Sequence, residues 1–177
     1  ASFALLAYAS AWIKCHHPGA FFTGLLNSQP MGFYSPSQLI QDAQRHGINM
    51  LSIDINKSQW KHQLLPEKNW KTLQLGLKLI KNLSRDGAWR ICAAVKEEPF
   101  SDITDLRRRA QLHQKDMEAL AKADALKSIS GSRRNSIWEV LAPNYSNHLF
   151  DLMQNEKKPT NTEVLLPSAS TLQEVLA

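Results

Sequence analysis

The chain has 177 residues, enough for one domain or two small ones and for a real hydrophobic core. It is 43% hydrophobic and 21% charged, which excludes a disordered tail and a fibrous repeat, and no apolar run approaches the roughly 20 residues that cross a bilayer. The formal net charge of +5 is concentrated: residues 61–95 carry seven Lys or Arg against two Asp or Glu, a balance that suits a polyanion partner or, equally, a solvated lysine-rich face.

The first residues, FALLAYASAWIK at 3–14, are apolar almost all round, as in a helix that packs inside something larger. Together with an opening Ala, this pattern predicts a piece of a longer protein. His16 and His17 punctuate the run, and Pro18 suits the first turn of a second helix over 18–27. QPMGFY reads as a loop. Ser35-Pro36 then supplies an N-cap and a first helical proline, Leu39, Ile40 and Ala43 form the apolar stripe, and Gly47 ends the helix. Residues 48–55 alternate enough for a short strand, and 57–76 read as a loose hairpin region in which Leu73 and Leu75 alternate with polar neighbours.

From Leu77 the period turns helical. Ser84 caps a helix over 85–95, Ser101 caps another to about Ala110, a third runs from Gln114 to Lys122, and Gly131-Ser132 opens a fourth through Leu141. Residues 155–171 read as a linker. A repeat offset by 29 residues matches Leu77 with Leu106, Lys78 with Arg107, Leu83 with Leu112, Ile91 with Leu120 and Ala94 with Ala123. Each copy reads as helix, short turn, helix. The fold class is mainly α with a small β element.

The turn between the first pair of helices carries the chemistry. Asn82 tolerates a positive φ, and Leu83 plugs the gap between the helices. The amides of residues 84–86 open the following helix. Unpaired amides at the positive end of a helix dipole make an anion site, flanked here by Lys78, Lys81 and Arg85. That suits a backbone phosphate and reads no base. The second copy offers Gln111, Leu112 and His113, with Lys115 nearby. The DNA-binding candidates are therefore Lys78, Lys81, Asn82, Leu83, Ser84, Arg85, Gln111, His113 and Lys115, with the second hairpin the weaker of the two.

Other groups read blandly. Cys15, His16 and His17 lack the second ligand pair that structural zinc wants, so no metal site is assigned and the two histidines are packing and capping residues. Cys15 and Cys92 make no disulfide framework and fit a reducing compartment. Of Trp12, Trp60, Trp70, Trp89 and Trp138 most are expected in the core, Trp89 above all. Arg107, Arg108 and Arg109 form a basic run that reads either as a DNA contact or, favoured because Asp102 and Asp105 sit within one turn and can pair with them, as a solvated helix face. Arg133 and Arg134 open a helix, a poor place for cations unless an acid such as Glu139 compensates. No nucleophile stands beside a base, and Asp42 and Asp54 are not placed to share two metals, so no catalytic residue is assigned.

LKLIKNLSRDGAWRI resembles a helix-hairpin-helix motif, whose usual turn is Gly-hydrophobic-Gly. More widely, FALLAYASAWIKCHHPGAFFTGLLNSQPMGFYSPSQLIQDAQRHGI, SIDINKS, GLKLIKNLS, DLRRRAQLHQKDMEALAKADAL and SRRNSIWEVLA resemble the alpha subunit of bacterial C-family DNA polymerases, and most of all its error-prone, DnaE-type branch. The resemblance implies the end of a fingers domain over 1–56, a connecting β and loop region over 57–76, a tandem helix-hairpin-helix domain over 77–142, and over 143–177 a linker toward an OB-fold domain. It departs from the pattern at Asn82 and Gln111, where the family has glycine.

It also implies a parent enzyme that transfers nucleotides with magnesium-bound palm carboxylates upstream of Ala1, so that this chain needs no cofactor and is inert alone. The implied role is a sequence-independent grip on primer-template duplex in cytoplasmic, error-prone synthesis and repair. Partners would be that DNA, the rest of the polymerase and accessory translesion or sliding-clamp proteins, with no membrane. The alternative is a rigid spacer and protein-docking module with little DNA contact of its own.

Overall fold

The computed structural model describes residues 2–32 and 34–141; the linker and OB-fold lead-in read from the sequence lie outside them. Eight α-helices and three short strands make up this part: α1 Ser2–His16, α2 Pro18–Asn27, α3 Pro36–Arg45, β1 Asn49–Leu51, β2 Gln63–Leu65, β3 Thr72–Gln74, α4 Arg85–Glu97, α5 Ile103–Ala110, α6 Gln114–Lys122, α7 Lys127–Ser130 and α8 Arg133–Leu141. This is the mainly helical fold with a small β element that the sequence predicts. No described helix is long and apolar enough to cross a membrane.

Local chemistry sets the helix ends. Pro18 occupies the first turn of α2. Ser35 and Gln38 cap α3 reciprocally: the Gln38 amide donates to Ser35 Oγ at 3.3 Å and the Ser35 amide to Gln38 Oε1 at 3.0 Å. Gly47, at φ +76°, takes the left-handed position that closes α3. One cap differs from expectation. Asp102, not Ser101, caps α5, accepting the Asp105 amide at 2.7 Å, because a carboxylate is the better acceptor at the positive end of a helix.

The strands form one sheet in the order β1-β3-β2, with β1 parallel and β2 antiparallel to β3. Met50 and Leu64 both pair with Leu73. The central strand is buried along its length. Leu73 packs with Phe22, Leu26, Leu39, Ala43 and Ile48, which puts α2 and α3 on the sheet. A second, larger core joins Ile55, Leu77 and Ile80 to the apolar faces of α4, α5 and α6 and to Val140 of α8.

Polar clamps join the two cores. The Asn27 side chain pairs both ways with the backbone of His62, donating to its carbonyl at 3.0 Å and accepting its amide at 2.9 Å. His62 Nδ1 accepts the Gly76 amide at 3.0 Å. Lys78 Nζ donates to the carbonyls of Asn27, at 2.8 Å, and Gln29, at 2.6 Å, at the C-terminal end of α2, where a cation suits the dipole.

α1 lies outside both cores. It is tied to α3 by the Lys14–Asp42 ion pair at 2.9 Å, whose hydrogen bond holds the Asp42 carboxyl below its ordinary pKa. Phe3, Leu5, Leu6, Tyr8, Trp12 and Ile13 are exposed on it, Phe3 at 86%. The all-round apolar pattern read from the sequence thus finds no interior among the described residues. His16 stacks on Trp12 with centroids 4.4 Å apart.

His62 makes stability depend on pH. Burial, aided by the Lys78 charge, lowers its pKa from 6.5 to about 4. The unfolded chain therefore takes up this proton first, and the contribution is complete above pH 6.5 and is lost as pH falls toward 4. We expect a loss on the order of 2 kcal/mol between pH 7 and pH 4 in urea titrations, and a flatter profile in His62→Gln.

Candidate nucleic-acid interface

The 29-residue repeat is present in the backbone. Asn82, at φ 65°, and Gln111, at φ 47°, both take the left-handed conformation, and each lies two residues before an N-cap, Ser84 or His113. L side chains reach that region at a cost on the order of 1 kcal/mol, least for Asn, which is why glycine serves so often there. The copies differ in their first limb. α5 precedes the second turn, whereas a single 3-10 turn, Leu77–Leu79, precedes the first, where the sequence predicts a helix. Gly76 explains the short limb. A Cβ there would lie 2.5 Å from the backbone of Lys61, so the chain runs hard against the 60–61 loop until Leu77. Leu83 and Leu112 fill equivalent positions, half-buried and buried against the main core.

The hairpins hold one another through charges on helix ends. Asp116, 3% exposed in the first turn of α6, accepts the Ser84 amide at 2.8 Å and the Ser84 hydroxyl at 2.8 Å. Ser84 Oγ in turn accepts the Gly87 amide at 3.0 Å. A Cβ on Gly87 would sit 2.8 Å from Asp116 Oδ2, so glycine is needed for the carboxylate to reach the mouth of α4. In the other direction, Arg90 of α4 donates to the carbonyls of Ala110, at 2.8 Å, and Gln111, at 3.3 Å, at the end of α5. Each hairpin thus supplies the ion that suits the other's dipole.

This bracing engages several of the sequence-derived candidates. Ser84 is committed to Asp116, and Lys78 to the carbonyls of α2. Lys81, Asn82, Arg85, Gln111, His113 and Lys115 are exposed. Among the described residues the amides of Arg85, Asp86, Gln114 and Lys115 have no acceptor. A groove of about 860 Å³ runs between the first turn and α6, bringing Lys81 and Asn82 together with Lys115 and Lys122; Leu79 and Ile80 contribute to its wall. Its one carboxylate, Glu118, pairs with Lys122 at 3.6 Å. Lys122 is a member that the sequence reading missed. Its signal was the spacing of seven from Lys115, two turns along one helix.

The remaining basic residues are spoken for in other ways. Arg108 and Arg109 pair with Asp105, both at 3.1 Å, as their spacing suggests. Arg109 also donates to the Ala94 and Glu98 carbonyls at the end of α4 and lies over the Phe100 ring. Arg107 donates to the Val140 carbonyl of α8. The link from Arg133 or Arg134 to Glu139 does not form among the described residues. The tryptophans overturn their expectation: Trp12, Trp70, Trp89 and Trp138 are exposed and Trp60 is half-buried. No group of three His, Cys, Asp or Glu among the described residues could hold a metal.

Two left-handed turns, each opening a helix and each braced by the other, define a paired helix-hairpin-helix module. The chain belongs to that family: the family model for the helix-hairpin-helix motif matches residues 47–136. Along its length the chain is similar to error-prone DNA polymerases. It is 45% identical to the one from Teredinibacter turnerae over 99% of this chain and 17% of that protein. The match to the Saccharophagus degradans enzyme is 48% over 92% and 16%, and to the Bordetella bronchiseptica enzyme 46% over 100% and 17%. The chain therefore spans about 17% of the length of these relatives.

Replacing Asp116 tests the bracing. Asp116→Ala leaves the Ser84 amide and hydroxyl without their acceptor and should lower unfolding free energy by about 2 kcal/mol in urea, with Asp116→Asn losing about 1 kcal/mol. An unchanged midpoint in both would remove Asp116 from this role.

Proposed function

We propose that this chain is the part of an error-prone DNA polymerase that grips duplex DNA through its backbone, without regard to sequence. The observation that carries the reading is the groove that gathers Lys81 and Lys115 beside the first hairpin turn, with Lys122 paired to the groove's single carboxylate, Glu118. Phosphates would lie along these lysines, with Arg85 at the start of α4 and the open amides of Gln114 and Lys115 at the start of α6 as further donors. Asn82, Leu83, Gln111 and His113 shape the two turns that present those donors. Ser84 and Lys78 act one step back: Ser84 orders the mouth of α4 and Lys78 fixes the hairpins to α2. No base edge is read in this arrangement, which matches a protein that must hold whatever sequence it has just copied. The bond-making chemistry would belong to other parts of the longer polymerase, which would be the chain's covalent partner.

A second reading keeps the module as a rigid spacer and docking surface. It is favoured by Asp116, whose carboxylate occupies the mouth of α4, where a phosphate would otherwise sit.

Binding to a short duplex, followed by anisotropy across a salt series, separates the two. Under the first reading affinity falls steeply between about 50 and 200 mM salt as counterions are released. Lys81→Glu combined with Lys115→Glu should weaken binding at least about tenfold and make the salt slope shallower. Affinity that is flat with salt and indifferent to this pair would leave the spacer reading in possession.

A further inference from the structure

A second groove, of about 400 Å³, lies between the 56–61 loop and α4, and none of its lining residues belongs to the hairpin groove. On the helix side Trp89, with Cys92 and Ala93 three and four residues on and Lys96 seven residues on, makes a single stripe along α4. On the loop side stand Lys57, Trp60 and Lys61. The indole of Trp89 is 57% exposed, although the opposite face of the same helix, through Ala88, Ile91 and Ala94, is buried in the core. Between Trp89 and Lys96 the small side chains of Cys92 and Ala93 leave a shallow floor. Burial raises the pKa of the Cys92 thiol, so that floor carries no thiolate at neutral pH. No Asp or Glu lines the groove, while three exposed lysines do.

We propose that this groove binds single-stranded nucleic acid, a base stacking on Trp89 while Lys57, Lys61 and Lys96 hold the flanking phosphates. An indole held open to solvent beside cations, on a stripe without carboxylates, is the pairing that sequence-tolerant single-strand binding uses. Duplex DNA fits it poorly, because paired and stacked bases cannot offer a face to the ring. An acidic peptide would satisfy the lysines and leave the indole without a stacking partner. The site would let the chain hold an unpaired strand beside the duplex held at the hairpins. It does not depend on the duplex reading, since the two use different residues.

The test measures anisotropy of a labelled oligo-dT and, separately, of a duplex on the 177-residue chain. Trp89→Ala should weaken oligo-dT binding about tenfold, Trp89→Phe should keep most of it, and neither should alter duplex binding. Lys57→Glu combined with Lys61→Glu should weaken oligo-dT binding and reduce its salt slope. Trp89 is exposed, and an unchanged urea midpoint in Trp89→Ala would confirm that the fold is intact. The proposal is overturned if oligo-dT does not bind, or if Trp89→Ala leaves its affinity unchanged. It is equally overturned if a poly-glutamate peptide displaces the oligonucleotide as well as unlabelled oligo-dT does. Loss of oligo-dT binding in the Lys81→Glu, Lys115→Glu pair to the same degree as duplex binding would assign both to the hairpin groove and overturn it too. A flat salt series for the duplex, with the oligo-dT results as expected, would sink the duplex reading alone.

Discussion

The Asp116 carboxylate, buried at the mouth of α4, is the contact on which the geometry of the module turns. It sits in the first turn of one helix and satisfies donors at the start of another, so one charge serves the positive ends of two dipoles. Burying a carboxylate is costly unless its lone pairs are filled, and Ser84 fills them from both its amide and its hydroxyl. The arrangement needs Gly87, because any Cβ there would meet the carboxylate. Arg90 completes the exchange by holding the far end of α5. Two hairpins braced in this way present a fixed spacing between their turns, and a fixed spacing is what a repeating ligand such as a phosphate backbone demands.

That bracing has a consequence for how anions can be held. With an internal carboxylate at α4, the dipole there is already compensated, and an external phosphate would gain little from it. Under the proposed duplex reading, the rim lysines rather than the mouth of α4 would supply the attraction. Lys78, Arg107 and Arg109 belong to a different set of cations, which stitch helix ends together and are spent on carbonyl oxygens. Net charge over a stretch of sequence cannot separate these sets, because a lysine that closes a helix and a lysine that waits for a ligand look alike until the fold brings acceptors to one of them.

Much of the fold was legible beforehand. The caps at Ser35 and Ser84, the closing Gly47 and the left-handed role of Asn82 are local, set by side chains within a few residues of the backbone they satisfy. The 29-residue repeat could be read for the same reason, since each copy writes the same turn chemistry. What escaped was non-local. The parallel pairing of β1 with β3 joins segments 23 residues apart, Asn49 with Thr72, although β2 lies between them in sequence. The shortened limb before Asn82 follows from the crowding of Gly76 against Lys61. The sequence around Lys78 suits a phosphate ligand, but the α2 carbonyls that take its ammonium come from about fifty residues away. Hydrophobicity places Trp89 in the core, yet it is exposed, because hydrophobicity says what a side chain prefers and not which face of its helix the neighbours cover.

The amino-acid order by itself therefore determined the helical class, the turn positions and the membership in a family, since capping, φ preference and periodicity act over a few residues. Tertiary structure decided which cations remain free, which carboxylate fills a helix mouth and which indole stays open to solvent. Those outcomes depend on desolvation and on acceptors delivered from distant segments, and neither is written in any one stretch of chain.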